Sequence, residues 1–122
     1  MIELSRQEGD IHLALTAIPM GKDWLVALSG GDAPHIGAVA LAHPRPSLKG
    51  DGSASATASV LALTGHKEDM LAREVALRVA RECGVVACVS CGIHMESATE
   101  GEIDVVLRLT DDLVMELVAA LK

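Results

Sequence analysis

The chain has 122 residues, half of them hydrophobic, with one Trp and neither Phe nor Tyr, and it carries 17 Asp and Glu against 10 Lys and Arg. An acidic balance, no basic run and no aromatic platform for base stacking exclude a nucleic-acid-binding module, and no apolar run approaches the roughly 20 residues of a membrane span. The length fits a single domain over 1–122. A mean hydropathy of +0.36 exceeds what so small a body hides, so the excess is expected at a subunit interface, in the commonest case a twofold homodimer. The polar opening Met1 to Asp10 does not read as a signal peptide. Three cysteines without framework spacing suit a reducing cytoplasm.

The first element expected is a strand over Ile11 to Ile18, where apolar positions alternate; His12 on it reads as a surface residue. Pro19 to Asp23 is a turn, and Trp24 to Ser29 returns antiparallel. Gly30-Gly31-Asp32-Ala33-Pro34-His35-Ile36-Gly37 then joins two apolar runs. Its glycines allow close approach, Pro34 stiffens it, and Asp32 and His35 are its ionisable groups. That suits a ligand-binding loop; the alternative is a tight strand connection with Asp32 capping a turn. Ala38 to Ala42 is a third strand, which Pro44 and Pro46 should end, since proline cannot join a central ladder. Ser53 to Val60 alternates Ser/Thr with Ala/Val and runs on into Leu61 to Leu63. It reads as a strand with one small-residue face that lets a neighbour or ligand come close, or alternatively as a flexible loop.

Thr64 to Asp69 turns into a helix running to Cys83, with Met70, Leu71, Val75, Ala76, Val79 and Ala80 as its apolar face. Glu74 and Arg78 stand four apart as an ion pair, and Gly84 ends the helix. Val85 to Ile93 is the most apolar strand and is expected at the centre. Cys88 and Cys91 spell CxxC, but on a strand they point to opposite faces and should form no disulfide. Thr99 and Glu102 form a capping box. The helix that follows should bury Ile103, Val106 and Leu107, and Thr110-Asp111-Asp112 should cap a second helix with the stripe Leu113, Leu117, Val118 and Leu121. One long helix is the alternative. The fold class is α+β: a mainly antiparallel sheet of about five strands with two to three helices on one face.

Three imidazoles stand beside glycines at strand ends: His35, His66 in Gly65-His66-Lys67, and His94 in Gly92-Ile93-His94. The second turn opens a helix, where free N–H groups with Lys67 suit a phosphate. Three histidines also have the donor chemistry for zinc or copper with an open position. No Ser or Cys stands in a nucleophile elbow.

GGDAPHIG, GHKED and GIHMESATEGEI, in this order and spacing, resemble the prenylated-flavin chaperone family that includes the small accessory protein of bacterial gallate decarboxylase. The resemblance spans roughly Trp24 to Leu117. It implies a fold similar to eukaryotic proteasome assembly chaperones and a non-catalytic homodimer. Such a dimer binds reduced prenylated FMN as cargo and hands it to a UbiD-type decarboxylase. The matching positions are Gly30, Gly31, Asp32, Pro34, His35 and Gly37, then His66, Lys67 and Asp69, then Gly92, His94 and Thr99. Among them Gly30, Gly31, Asp32, His35, Gly37, His66, Lys67 and His94 are the implied cofactor-binding residues. Where the gallate-decarboxylase member has an aromatic before its His-Lys pair, this chain has Gly65. Without Phe or Tyr, a flavin ring would lie on aliphatic side chains or on Trp24. Two other readings compete: a metal-dependent enzyme using His35, His66 and His94, and an assembly chaperone that grips protein alone.

Overall fold

Two Gly-X pairs start the sheet. Gly9 and Gly21 take φ of +58° and +65°, the left-handed backbone a two-residue hairpin needs at its first central position. They fold β1 (Ile2–Glu8), β2 (Ile11–Met20) and β3 (Asp23–Gly31) into an antiparallel meander, with Glu8 opposite Ile11 and Met20 opposite Asp23. A second hairpin pairs β4 (Ala38–Pro46) with β5 (Ala54–Ala62), and α1 (Asp69–Cys83), β6 (Ala87–His94) and α2 (Glu100–Leu121) complete the chain. The computed structural model describes residues 1–63 and 68–122.

The six strands form one mixed sheet in the order β1-β2-β3-β6-β4-β5. Every pairing is antiparallel except β3 with β6. Among the described residues the fold is therefore α+β with two helices, and β6 lies at the centre as its apolar sequence suggests. The helices share one face, α1 over β4, β5 and β6 and α2 over β1 and β2, and they touch each other. Beneath them the core is aliphatic, with Leu13, Leu15, Leu28, Val89, Leu113 and Leu117 essentially inaccessible. The small-residue face of β5 has a definite neighbour: Ala56 and Ala58, with buried Ala38, Ala40 and Ala42 of β4, lie where α1 packs by Ala72, Ala76 and Ala80.

Several sequence expectations are corrected here. The opening residues form an edge strand, β1, whose Ile2 and Leu4 alternate with polar residues. The strand at Ala38 continues through both prolines, because β4 pairs with β6 only as far as Ala42 and beyond that has β5 alone; proline is tolerated on such an edge. Arg78 bonds Glu82 and Asp111 instead of Glu74. The C-terminal region is one helix. Thr110 is buried, and the Asp111 carboxylate reaches Arg78 on α1, so neither side chain caps a new start. Met70 is 73% exposed, and Ile103 and Leu107 are half exposed, so none belongs to the core. The Thr99–Glu102 capping box and the left-handed Gly84 stop are present as expected.

Among the described residues, no helix covers the far face of the sheet. Across it Ile18, Leu25, Cys88 and Leu41 are successive register partners, and Ile18, Leu25 and Leu41 are exposed.

Candidate functional site

Because β3 and β6 run parallel, their C-terminal ends lie side by side, with Gly31 opposite His94. The glycine loop leaves one strand and the segment 95–99 leaves the other. Backbone bonds stitch them together: the Asp32 amide donates to the His94 carbonyl at 2.7 Å, and the Gly37 amide donates to the Cys91 carbonyl at 2.9 Å. The Glu96 amide donates to Asp32 Oδ2 at 3.0 Å. Asp32 thus anchors the second loop rather than simply capping its own turn.

The glycines serve this contact. Gly31 takes φ +73°, and a Cβ there would stand 2.2 Å from the His94 carbonyl oxygen; a Cβ on Gly92 would stand 1.6 Å from that of His35. Added carbons on Gly30 and Gly37 would meet the His12 carbonyl and the Glu68 carboxylate. The expected close approach is real, but in the structure it is chain against chain.

The loop holds the His35 ring between two acceptors. Nδ1 is 2.9 Å from the Ala33 carbonyl oxygen, which can only accept, so this nitrogen carries a hydrogen. Nε2 is 2.9 Å from Glu68 Oε1. The His94 ring stands 6.5 Å away and nearly perpendicular, with Nε2 3.1 Å from Glu96 Oε2. Glu68 is buried at the N-cap of α1. The sequence marks it only as an acid at a helix start, and the acid in GHKED was its one available signal. Behind this cluster the Cys91 thiol is pushed up to about 12, chiefly by burial and further by the Glu68 charge.

Gly30, Gly31, Asp32, His35, Gly37, Gly92 and His94 are therefore one assembly, with Glu68 added to it. Asp69 opens α1, and Thr99 caps α2 beside the same region. His66 and Lys67 lie outside the described residues, and so does the three-histidine convergence as a whole. Among the described residues, no three of His, Cys, Asp and Glu are grouped to hold a metal ion.

Two hollows flank the cluster. One, of about 720 Å³, is a groove between α1 and α2 over the end of β6; its walls include Leu71, Ile93, Met95, Ile103 and Leu107, and His94 borders it. The half-exposure of Ile103 and Leu107 is explained by this groove. The other, about 330 Å³, lies on the open sheet face beside Pro34, His35 and Ile36. Trp24 pairs with Ala87 at the opposite end of β3, seven residues or roughly 23 Å of strand from Gly31. It cannot line the groove. What the groove offers is an aliphatic bed bordered by His94, Glu68 and Glu74, the form of a site for an amphipathic small molecule.

Over residues 7–122 the chain matches the family model described as the prenylated flavin chaperone LpdD-like domain. Protein LpdD of Lactiplantibacillus plantarum is 26% identical over 112 aligned residues, covering 84% of this chain and 72% of that protein.

Proposed function

The chain belongs to the LpdD-like family of prenylated flavin chaperones, and from that premise we propose that it is a non-catalytic carrier of reduced prenylated FMN. In this reading it collects the cofactor and delivers it to a UbiD-type (de)carboxylase in the cytoplasm. The observation that carries the reading is the coincidence of two features at the joined ends of β3 and β6. There the motifs that carry the resemblance bring His35 and His94 together, and an apolar groove opens beside them. Its volume lies in the range of small-molecule sites, about 300–1,000 Å³.

The chain's own residues would divide the work. His94, half exposed at the rim, has a ring edge able to hydrogen-bond the polar atoms of the cargo. Asp32 holds the 95–99 segment against the glycine loop and so keeps that rim in place. Lys67, the cation of the His-Lys pair, is the residue proposed for the phosphate, where a charge-assisted contact is worth about 1.5–3 kcal/mol. When bound, the prenylated flavin supplies the chemistry of the decarboxylase; the carrier needs only to hold and release it.

A homodimer is part of the proposal. The uncovered row Ile18, Leu25, Cys88 and Leu41 is an apolar strip across the sheet, and a second copy is the commonest cover for such a strip.

The test is anaerobic titration of reduced prenylated FMN into the protein, followed by mixing the loaded protein with an apo-decarboxylase and measuring the activity gained. Binding without transfer would leave a flavin-binding protein and remove the delivery role. No binding, together with stoichiometric zinc or copper by metal analysis, would favour the three-histidine metal reading.

A further inference from the structure

We infer that the groove between α1 and α2 seats the ring system of the cargo, and that its aliphatic walls favour prenylated over plain flavin. This rests on the carrier reading above and assigns the ring a place within it. Ile103 and Leu107 on α2 and Met70 on α1 are large apolar side chains that stay 48%, 51% and 73% exposed, and all three line this one groove. Single exposed apolar residues are ordinary; three converging from two helices on one hollow are a binding surface. Beneath them Ile93 and Met95 lie at the end of β6, and the polar side chains of the lining are His94, Glu68 and Glu74. An amphipathic plate, apolar over its rings and polar at its edges, suits an aliphatic bed bordered by such groups.

The chemistry of the walls sets the preference. Flavin sites often stack the ring on an aromatic side chain, which grips plain and modified rings alike. Among the described residues no Phe, Tyr or Trp lines the groove, and Trp24 lies at the opposite end of β3. The ring is held instead by area removed from water against aliphatic carbon. Prenylation adds an isoprene unit fused to the ring, entirely apolar, and so adds the kind of surface these walls reward. Met70 and Met95, unbranched and adaptable, can follow its shape.

The experiment titrates reduced prenylated FMN and reduced FMN, without oxygen, into the full chain and into Ile103→Gln, Leu107→Gln and the double variant, with Met115→Gln as control. Met115 is exposed on the same helix but lies outside the groove. Each titration is paired with a melting curve. The expected result is tighter binding of the prenylated form by the unaltered chain. In the double variant that affinity should fall about tenfold or more, plain FMN should change much less, and the control and all melting temperatures should stay near those of the unaltered chain. Ile103→Met with Leu107→Met should restore binding. Undiminished affinity in the double variant, with the unaltered chain binding its cargo, overturns the groove and leaves the carrier reading standing. An equal loss in Met115→Gln overturns it as well. If the unaltered chain binds no prenylated FMN, the carrier reading falls and the groove with it.

Discussion

His35 Nε2 and Glu68 Oε1 lie 2.9 Å apart, and this bond ties the glycine loop to the first turn of α1. Both side chains are largely buried, at 23% and 10% exposure, so the contact is shielded from solvent. His94 differs: its ring is half exposed and meets a carboxylate that is 81% exposed. The two histidines should therefore separate. His35→Ala should cost about 1–3 kcal/mol and lower the melting temperature by several degrees. His94→Ala should leave melting nearly unchanged and weaken cargo binding. Calorimetry and anaerobic titration on both variants check this; equal stability losses would remove the distinction.

Gly92 is the most sharply constrained position in the site, since an added carbon would lie 1.6 Å from the His35 carbonyl oxygen. Gly31 adds a left-handed φ to a comparable clash. Gly92→Ala and Gly31→Ala should each destabilise by about 2–4 kcal/mol, and cargo binding should be lost with the loop. Chemical denaturation gives the first quantity. Gly50→Ala, with nothing near its added carbon, carries only the strain of its φ of +69° and should cost less.

Burial holds the Cys91 thiol near 12, whereas an unfolded thiol ionises near 8.5. The folded state thus keeps a proton that the unfolded state gives up. The stabilisation is complete below about pH 8.5 and is lost as pH climbs toward 12, at up to about 1.4 kcal/mol per unit. Denaturation at pH 8, 9 and 10 should show this slope, and Cys91→Ala should flatten it. Alkylation of the native protein should spare Cys91 and form no Cys88–Cys91 disulfide, because the two thiols occupy opposite sides of β6 with Cys91 alone buried.

If the strip Ile18, Leu25, Cys88 and Leu41 meets its copy, light scattering should give about twice 12.7 kDa. Leu41→Glu places a charge at a position already 51% exposed. It should yield a monomer with an unchanged far-ultraviolet spectrum. A monomer mass for the unaltered chain at micromolar concentration would remove the interface.

What could be read in the sequence was whatever a few adjacent residues decide. Thr99 and Glu102 satisfy each other within one turn, and Gly84 needs only its own left-handed angle, so both are legible. Residues decided by distant neighbours were not. Nothing near Gly92 announces that the His35 backbone will lie against it. Thr110 and Asp111 spell a cap, yet burial takes one side chain and Arg78 the other. Ile103 and Leu107 carry the right period, but a stripe facing a groove and a stripe facing a core look alike in one dimension. The charges around Ile2 and Leu4 obscured β1, and with it the hairpin at Gly9.

The parallel pairing of β3 with β6 also bears on when the site comes into being. Trp24 and Ala87 are neighbours in space with the β4–β5 hairpin and α1 between them in the chain, so their pairing closes one of the longest loops in the fold. Contacts of that span are slow to form. During synthesis the meander and the second hairpin can fold while β6 is still absent, but His35 has no His94 to face until the chain has passed residue 94. On the proposed carrier reading, cargo capture is thus a late event, and a chain that held flavin would already have closed its central strand.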